Sequence, residues 1–180
     1  MRFSAVLLAG GQSTRMGRDK ALLEYEGEAL WRRQESTLRR LDPEEILISG
    51  PPRDGRLTIA DEFENTGPLG GIATALRRCS APLLLVLAVD LPRMNTDFLR
   101  SLLALSHGDG VVPRGSEFFE PLAAIYPKAC FSVAESALRR GDFSLQNFVR
   151  DGMKAELLLP RPLAPDELSL FANLNTPADL

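Results

Sequence analysis

The sequence is poor in cysteine and has no long hydrophobic run. Its two cysteines, Cys79 and Cys130, share no metal-ligand spacing, so we expect both to be reduced and buried. The longest aliphatic run covers residues 83–89, whereas a helix that spans a bilayer needs about 20 apolar residues. No hydrophobic leader precedes the first strand-like segment, which predicts a cytoplasmic protein without a membrane partner.

An excess of positive charge is also absent. The 180 residues include 21 lysines and arginines against 24 aspartates and glutamates, and the net charge is −3. Proteins that hold nucleic acid nonspecifically need a basic surface, so we expect no nucleic-acid partner. The apolar fraction of 44% and the charged fraction of 25% are typical of a folded globular chain. The length suits a single domain over residues 1–180.

Short aliphatic runs alternate with amphipathic stretches in the first half of the chain. The runs have the composition of strands buried on both faces, and they cover residues 5–9, 46–48, 57–59 and 83–89. Apolar residues at helical spacing follow over 30–41, 69–76 and 99–103, the last after Thr96 as an N-cap. This alternation predicts an α/β protein with a mostly parallel sheet, a Rossmann-like three-layer open sandwich.

The second half of the chain is less regular. Pro121 places the predicted strand over residues 118–126 near an edge or a bulge. The remaining elements are a helix from Pro127 to about Gly141, a helix capped by Ser144, a strand over 155–159 and a proline-rich connection over 160–165.

The strongest functional signal follows the first strand, where residues 7–20 read LLAGGQSTRMGRDK. Glycines lack a Cβ atom, so this loop can present consecutive backbone N–H groups to an anion. Arg15, Arg18 and Lys20 are spaced to fold around the same group, as a polyphosphate requires. The Walker A and dinucleotide-binding patterns are both absent, because the glycine spacing differs. The alternative is a surface turn with solvated charges.

An aspartate ends the run over residues 83–89. Asp90 is expected at the carboxyl end of a central strand, where open α/β sheets bind ligands. A carboxylate opposite a phosphate-binding loop suits Mg²⁺, which prefers hard oxygen ligands shared with phosphates. A turn or helix-capping aspartate before Pro92 is the alternative interpretation.

A second acid and a glycine-rich segment follow the run over 57–59. Asp61 lies just beyond that strand and is either a ligand contact or an ordinary surface acid. Residues 67–71 read GPLGG and precede a helix, so their amides can bind an anion or support a flat base. The alternative is a tight turn with Pro68 at the first helical position.

Two asparagines stand near the end of the chain. Asn173 and Asn175 alternate with Leu174, so both amides are expected to face one way while the leucine faces the core. Amide side chains can bind a phosphate or a metal through neutral oxygens and N–H donors. Turn formation before Pro177 explains Asn175 almost as well.

In their order and spacing these motifs resemble the nucleotidyltransferases built like molybdenum cofactor guanylyltransferase, the MobA family. The resemblance covers nearly the whole chain, and its motifs are LAGG at 8–11, RMG at 15–17, DK at 19–20, Asp61 with GPLGG at 67–71, VDLP at 89–92 and NLNTP at 173–177. The first motif alone identifies only the wider superfamily, which includes sugar-phosphate nucleotidyltransferases and cytidylyltransferases. The asparagine-rich ending is more particular to the cofactor enzymes.

The resemblance implies an enzyme that transfers GMP from GTP to the phosphate of a molybdopterin-type cofactor and releases pyrophosphate. It implies Mg²⁺ as the cofactor, and proteins of cofactor biosynthesis or of molybdoenzyme maturation as partners. It implies catalytic roles for Arg15, Lys20 and Asp90, with Asp90 as the metal ligand. The implied nucleotide-binding residues are Leu8, Ala9, Gly10, Gly11, Lys20, Asp61, Gly67, Pro68, Leu69 and Asp90, and the implied acceptor-side residues are Asn173 and Asn175.

The chain departs from the family at one position and leaves rival functions open. The family often carries a nucleotide-binding asparagine at the end of its second strand, where this chain has Ser49-Gly50-Pro51. A sugar-phosphate enzyme would carry an extra substrate-binding segment, and CTP-dependent relatives tend to have Ala-Ala-Gly at 9–11. A non-catalytic protein that binds nucleotide and delivers cofactor is the rival from another class, although it would not need a metal carboxylate.

Overall fold

The structure, a computed structural model, describes residues 1–10, 20–53 and 55–173. A seven-stranded sheet forms the centre of the fold. In chain order its strands are β1 (Phe3–Leu8), β4 (Ile46–Ser49), β5 (Thr58–Ile59), β6 (Leu83–Ala88), β7 (Gly110–Arg114), β8 (Ala123–Pro127) and β9 (Leu158–Pro162). Two further strands, β2 (Glu24–Tyr25) and β3 (Glu28–Ala29), form a small antiparallel hairpin.

The strand order across the sheet is β5-β4-β1-β6-β8-β7-β9. Of the strands described in this sheet, β8 alone runs antiparallel to its neighbours. Every residue of β1 and of β6 is buried, because these central strands have helices on both faces. The predicted aliphatic strands and the mostly parallel sheet are thereby confirmed.

In the described part of the chain, five α-helices cover the two faces of the sheet. They are α1 (Leu30–Arg39), α2 (Pro68–Arg78), α3 (Thr96–Ser106), α4 (Cys130–Arg139) and α5 (Leu145–Lys154). Ala5 and Leu7 of β1 point into one core with residues of α1 and α3, whereas Val6 and Leu8 point into a second core with residues of α2, α4 and α5. Because successive side chains of β1 point to opposite faces of the sheet, this strand contributes to both cores. The predicted three-layer arrangement is confirmed.

The N-cap of α3 is Asn95 and not Thr96. The Asn95 side chain accepts a hydrogen bond from the backbone N–H of Phe98 at 2.8 Å. The Thr96 hydroxyl instead donates to the carbonyl oxygen of Thr37 at 3.5 Å. Both residue types cap helices, so the local sequence did not distinguish them, and the tertiary contact with α1 did.

Two strand predictions in the second half of the chain are wrong in their bounds, and the first of these strands, β8, lies between β6 and β7 rather than at an edge. The strand predicted over 118–126 begins at Ala123, and only Phe119 forms an isolated bridge with β7 before it. The last strand covers Leu158–Pro162 and includes two prolines that were assigned to a connection. Because β9 is the outermost strand, its free edge needs no backbone donors, and prolines are tolerated there.

The cysteine prediction is confirmed. Cys79 and Cys130 are both free and buried, and burial raises the pKa of the Cys130 thiol to about 12. Neither thiol is therefore suited to act as a nucleophile near neutral pH. No helix in the described part of the chain is long and apolar enough to cross a membrane.

Candidate active site

Four neighbouring strands of the sheet end at the same edge. Strands β5, β4, β1 and β6 are parallel, so the residues that follow them lie side by side. These residues are Asp61 after β5, Gly50 after β4, Ala9 and Gly10 after β1, and Asp90 after β6. The edge therefore collects most of the described residues that the motifs single out.

Lys20 and Asp90 face each other at the centre of this edge. The Nζ atom of Lys20 lies 3.7 Å from Oδ2 of Asp90. Their side chains are 25% and 24% exposed, so both remain open to a ligand from solvent while part of each is removed from water. A cation and a carboxylate in this position can bind a polyphosphate and its divalent metal from two sides.

A short 3₁₀ helix, Lys20–Leu22, presents the lysine. Ala21 is fully buried in the core beside α1 and α3. The backbone N–H of Leu23 donates to the carbonyl oxygen of Lys20 at 3.1 Å, and the N–H of Leu30 donates to that of Leu23 at 2.9 Å. The lysine is therefore fixed to the first turn of α1.

Asp90 is presented by the end of β6. The backbone N–H of Val89 donates to the carbonyl oxygen of Leu8 at 3.1 Å, which extends the contact between β6 and β1 up to the aspartate. A turn follows, in which the N–H of Met94 donates to the carbonyl oxygen of Leu91 at 3.0 Å. Val89, Leu91 and Met94 are buried, so the half-buried carboxyl projects from a well-packed segment.

Two glycines allow the segments after β1 and β4 to touch. A Cβ atom added at Gly10 would lie 3.3 Å from the Cα of Gly50. One added at Gly50, where φ is +141°, would lie 2.9 Å from the carbonyl carbon of Ala9. Only glycine fits such an approach at positive φ. The exposed Gly10 therefore offers a surface of backbone without side chains beside Lys20 and Asp90.

Asp61 packs against the first turn of α2. Its Oδ1 accepts a hydrogen bond from the Thr74 hydroxyl at 3.1 Å, and burial against the helix raises the pKa of its carboxyl. A Cβ atom at Gly70 would lie 3.1 Å from Oδ1, and one at Gly71 would lie 3.1 Å from the Ser49 hydroxyl. The two glycines therefore let the ends of β4 and β5 approach the helix.

The amino end of α2 lacks a side-chain cap. Gly67 is the N-cap residue, with φ +64°, and Pro68 is the first helical residue, so the helix begins earlier than the sequence predicted. Gly67 and Pro68 are exposed, whereas the side chain of Leu69 is fully buried in the core. Leu69 can therefore meet a ligand only through its backbone.

An aromatic contact attaches the segment that leads to Asn173 to helix α3. It follows a 3₁₀ helix, Leu168–Phe171, and the Phe171 ring packs edge-on against Phe98 of α3 with centroids 5.4 Å apart. The Arg161 guanidinium lies 5.0 Å above the same Phe98 ring. Because Phe98 belongs to the first turn of α3, this contact holds the segment that leads to the exposed Asn173 beside the start of that helix.

Four of the predicted site residues lie outside the described part of the chain. Gly11, Arg15 and Arg18 belong to residues 11–19, and Asn175 belongs to residues 174–180. Their roles stay predictions of the motifs. The structure describes other members of the same motifs, among them Gly10, Lys20 and Asn173.

Sequence reasoning missed the side chains that hold the Asp90 segment from behind. Gln34 of α1 is fully buried and donates a hydrogen bond to the carbonyl oxygen of Leu91. It stands between Leu30 and Leu38 on the apolar stripe of the helix, at spacings of four residues. A polar residue at a core position of that stripe was the available signal.

The described residues offer few ligands for a metal at this edge. Within residues 1–10, 20–53 and 55–173, no three His, Cys, Asp or Glu residues are grouped so that they could hold a metal ion. Asp90 supplies one partly exposed carboxylate. This donor set fits Mg²⁺, which proteins commonly bind through one or two carboxylates together with substrate phosphates and water.

The family model of the MobA-like NTP transferase domain matches residues 5–156. A probable molybdenum cofactor guanylyltransferase from Opitutus terrae is 38% identical over 98% of this chain and 92% of its own length. A molybdenum cofactor guanylyltransferase from Syntrophotalea carbinolica is 33% identical, over 99% and 90%. Relatives of this similarity extend over essentially the whole chain.

Solved structures share the fold. The molybdopterin-guanine dinucleotide biosynthesis protein A of Archaeoglobus fulgidus superposes with a TM-score of 0.78, at 23% identity, over 98% of this chain and 94% of its own. The 2-C-methyl-D-erythritol 4-phosphate cytidylyltransferase of Thermus thermophilus superposes with a TM-score of 0.71, at 16% identity, over 97% and 93%. From the family match, the full-length relatives and the fold together, we conclude that this chain belongs to the MobA-like NTP transferase family.

Proposed function

We propose that the chain is a molybdenum cofactor guanylyltransferase, which transfers GMP from GTP to the phosphate of molybdopterin-type cofactor and releases pyrophosphate. The full-length similarity to relatives of that name, at 38% and 37% identity, carries the proposal. The Lys20–Asp90 pair at the carboxyl edge of the sheet supports it with a place for the chemistry.

The reaction is a displacement at phosphorus. An oxygen of the acceptor phosphate forms a bond to the α-phosphorus of GTP, and the bond from that phosphorus to the oxygen of the leaving pyrophosphate breaks. A phosphate monoester has a second pKa of about 6, so the acceptor is already a dianion at neutral pH and needs no general base. The single histidine of the sequence, His107, ends α3 at the opposite edge of the sheet.

Asp90 is the residue that would hold Mg²⁺. When bound, Mg²⁺ would neutralise charge on the phosphates, which lowers the barrier to displacement. The part of the Asp90 carboxyl that is exposed leaves room for phosphate oxygens and water in the remaining coordination positions. The hydrogen bond from Val89 to Leu8 keeps the carboxyl beside the end of β1.

Lys20 would bind the phosphates from the other side. Its ammonium group carries three N–H donors. The 3₁₀ helix Lys20–Leu22 presents this side chain. The backbone of Ala9 and Gly10 would lie under the phosphates, because no side chain of Gly10 intervenes. Arg15 and Gly11 complete this phosphate site in the proposal on the strength of the motif alone.

The nucleoside would lie along the edge toward β5. Asp61 and Asp90 follow strands that are three strand spacings apart, about 14 Å at about 4.8 Å per spacing. The intervening surface carries Gly10 and Gly50, which leave the backbone open to a flat base. Asp61, and the exposed backbone at Gly67 and Pro68, would contact the base or ribose, with Leu69 contributing its amide only.

The acceptor would approach from the other side of Asp90. The contact of Phe171 with Phe98 at the start of α3 supports this placement of Asn173, and Asn175 follows it in the motif. Amide groups suit the neutral polar edge of a pterin and its phosphate. A protein that supplies the cofactor or receives the product would dock near this side, in the cytoplasm.

The test is pyrophosphate release with each of four nucleoside triphosphates and Mg²⁺, with and without a molybdopterin-type acceptor. We expect release with GTP and only in the presence of that acceptor. Release with CTP or with a hexose phosphate would move the chain to another branch of the superfamily. Nucleotide binding without any release would show a delivery protein instead of an enzyme.

A further inference from the structure

Helix α1 is hydrogen-bonded both to the segment that carries Lys20 and to the segment that carries Asp90. At its start, the N–H of Leu30 donates to the carbonyl oxygen of Leu23, whose own N–H donates to that of Lys20. One turn later, Gln34 donates to the carbonyl oxygen of Leu91, the residue after Asp90. The two members of the pair are therefore both tied to the first half of one helix.

The hydrogen bond from Gln34 is not needed to satisfy its acceptor. The carbonyl oxygen of Leu91 also accepts from the backbone N–H of Met94 at 3.0 Å, which closes the turn without help from α1. The other polar atom of the Gln34 amide, Oε1, is buried and has no hydrogen-bond partner in the described part of the chain. A buried acceptor in that state destabilises the fold.

An apolar side chain of the same length would fill the space without the unpartnered atom. A glutamine is therefore not required at this position to fill the core. What the amide adds over an apolar chain is a directional contact with the backbone next to Asp90.

Arg33 supplies a second contact of the same kind. Its Nε donates to the carbonyl oxygen of Pro92 at 3.0 Å. The β2–β3 hairpin holds the guanidinium by two contacts. One is an ion pair with Glu26 at 3.0 Å, and in the other the guanidinium lies 5.1 Å from the centroid of the Tyr25 ring. The planar fork lets one arginine serve both partners, which a lysine cannot do in the same way.

We propose that Gln34 and Arg33 are positioning residues that hold the backbone of residues 90–92 so that the Asp90 carboxyl keeps its place relative to Lys20. They touch neither nucleotide nor acceptor, and they act through Asp90. The inference rests on the proposed function, because it takes Asp90 as the residue that holds the divalent metal.

Groups behind a metal ligand commonly tune metal affinity or activity by about 10- to 100-fold. Loss of the Gln34 or Arg33 contact would leave Asp90 in the sequence but free its segment to shift. The binding of a divalent cation is therefore expected to weaken before the fold does. A merely structural role would lower the melting temperature and leave cation binding unchanged.

The experiment measures Mn²⁺ binding by electron paramagnetic resonance, on the purified full chain with GTP and without acceptor. The main variant is Gln34→Met, which keeps the chain length and removes both amide atoms. Thr37→Val is the matched control, because Thr37 is buried on the same helix and its hydroxyl donates only to the carbonyl oxygen of Arg33 at 3.1 Å. Melting temperature and the kcat and KM for GTP are measured alongside.

We expect Gln34→Met to weaken Mn²⁺ binding about 10-fold and to lower kcat more than it changes KM. Its melting temperature is expected to stay close to that of Thr37→Val. Arg33→Lys, which keeps the charge, is expected to weaken Mn²⁺ binding in the same direction. Wild-type Mn²⁺ affinity in both Gln34→Met and Arg33→Lys would overturn the inference.

Asp90→Ala separates this inference from the function beneath it. If Asp90→Ala abolishes Mn²⁺ binding while Gln34→Met and Arg33→Lys do not change it, the positioning role alone is wrong. If Asp90→Ala also leaves Mn²⁺ binding and turnover intact, the proposed metal site is wrong, and the positioning role falls with it.

Discussion

The ammonium group of Lys20, which the 3₁₀ helix Lys20–Leu22 presents, lies 3.7 Å from the carboxylate of Asp90, which follows β6. A partly exposed ion pair at this distance contributes little to folding. A bound triphosphate with its metal offers each charge a stronger partner. Substitution of either residue is therefore expected to affect turnover far more than stability.

Asp90→Ala is expected to lower kcat by at least about 100-fold, the scale for losing one charge contact at the reacting phosphates. Pyrophosphate release with GTP and acceptor measures the effect. The matched control is Asp97→Ala, which removes a highly exposed carboxylate of α3 that pairs only with Arg100 at 3.0 Å. Wild-type kcat/KM for Asp90→Ala at saturating Mg²⁺ would contradict the role given to this residue.

Lys20→Ala is expected to lower kcat by about 100-fold or more, with a melting temperature near that of the wild type. The reason for the lower kcat is that the variant loses a cation that would bind the phosphates. Lys154→Ala serves as the control, because that lysine is exposed and pairs with Asp151 on α5. Equal turnover in the two variants would remove Lys20 from the site.

Gly50→Ala tests the close approach between the ends of β1 and β4. Strain at positive φ costs about 1–3 kcal/mol, and the added Cβ would also lie 2.9 Å from the carbonyl carbon of Ala9. Gly27→Ala is the control, since φ is +81° there and no atom lies within 4 Å of an added Cβ. We expect a larger fall in melting temperature and a higher KM for GTP in Gly50→Ala, and equal values would contradict the contact.

Glu120→Gln tests the half-buried carboxyl before β8. Burial raises the pKa of Glu120, so the folded state binds this proton more tightly than the unfolded state does. The ionised form therefore lowers stability at pH values above the folded pKa, and the loss disappears as the pH falls below the ordinary value of about 4.5.

Chemical unfolding at several pH values measures this dependence. We expect Glu120→Gln to be more stable than the wild type at pH 7 and to lose that advantage as the solution is made acidic. Glu117→Gln, at an exposed position of the same connection, controls for the removal of one negative charge. The same pH dependence in both variants would show that burial at Glu120 is not its cause.

Phe171→Ala tests the attachment of the segment that carries Asn173. Loss of the edge-on contact with Phe98 costs about 0.5–1.5 kcal/mol beyond the lost apolar area. The KM for the acceptor is expected to rise while the KM for GTP stays unchanged. Leu168→Ala, which alters an exposed residue of the same 3₁₀ helix, is the control, and a change confined to the KM for GTP would contradict the assignment.

The central part of the fold could be predicted because its strands are uniformly apolar. Residues 83–89 have no polar member, which is typical of a strand covered on both faces. That prediction also placed Asp90 at a carboxyl end, and the motif over 7–20 placed Lys20 beside it. The two side chains lie 3.7 Å apart in the structure, as that prediction requires.

The errors have a different origin. Strand β9 contains two prolines, which an outermost strand tolerates, and the sequence does not reveal that this strand is outermost. Gln34 interrupts an apolar stripe, and local periodicity cannot identify the Leu91 carbonyl oxygen as its partner. Such contacts join segments far apart in the chain, so they become visible only when the helices are placed on the sheet.

The two cores lie on opposite faces of the sheet, and the segments that carry the candidate site residues pack against different cores. Ala21, Leu91 and Met94, which flank Lys20 and Asp90, belong to the core beneath α1 and α3. Ile59 and Leu69, which flank Asp61, belong to the core beneath α2, α4 and α5. A large-to-small substitution in one core is therefore expected to weaken either the proposed phosphate contacts or the proposed nucleoside contacts. Engineered variants could then change one set of contacts without the other.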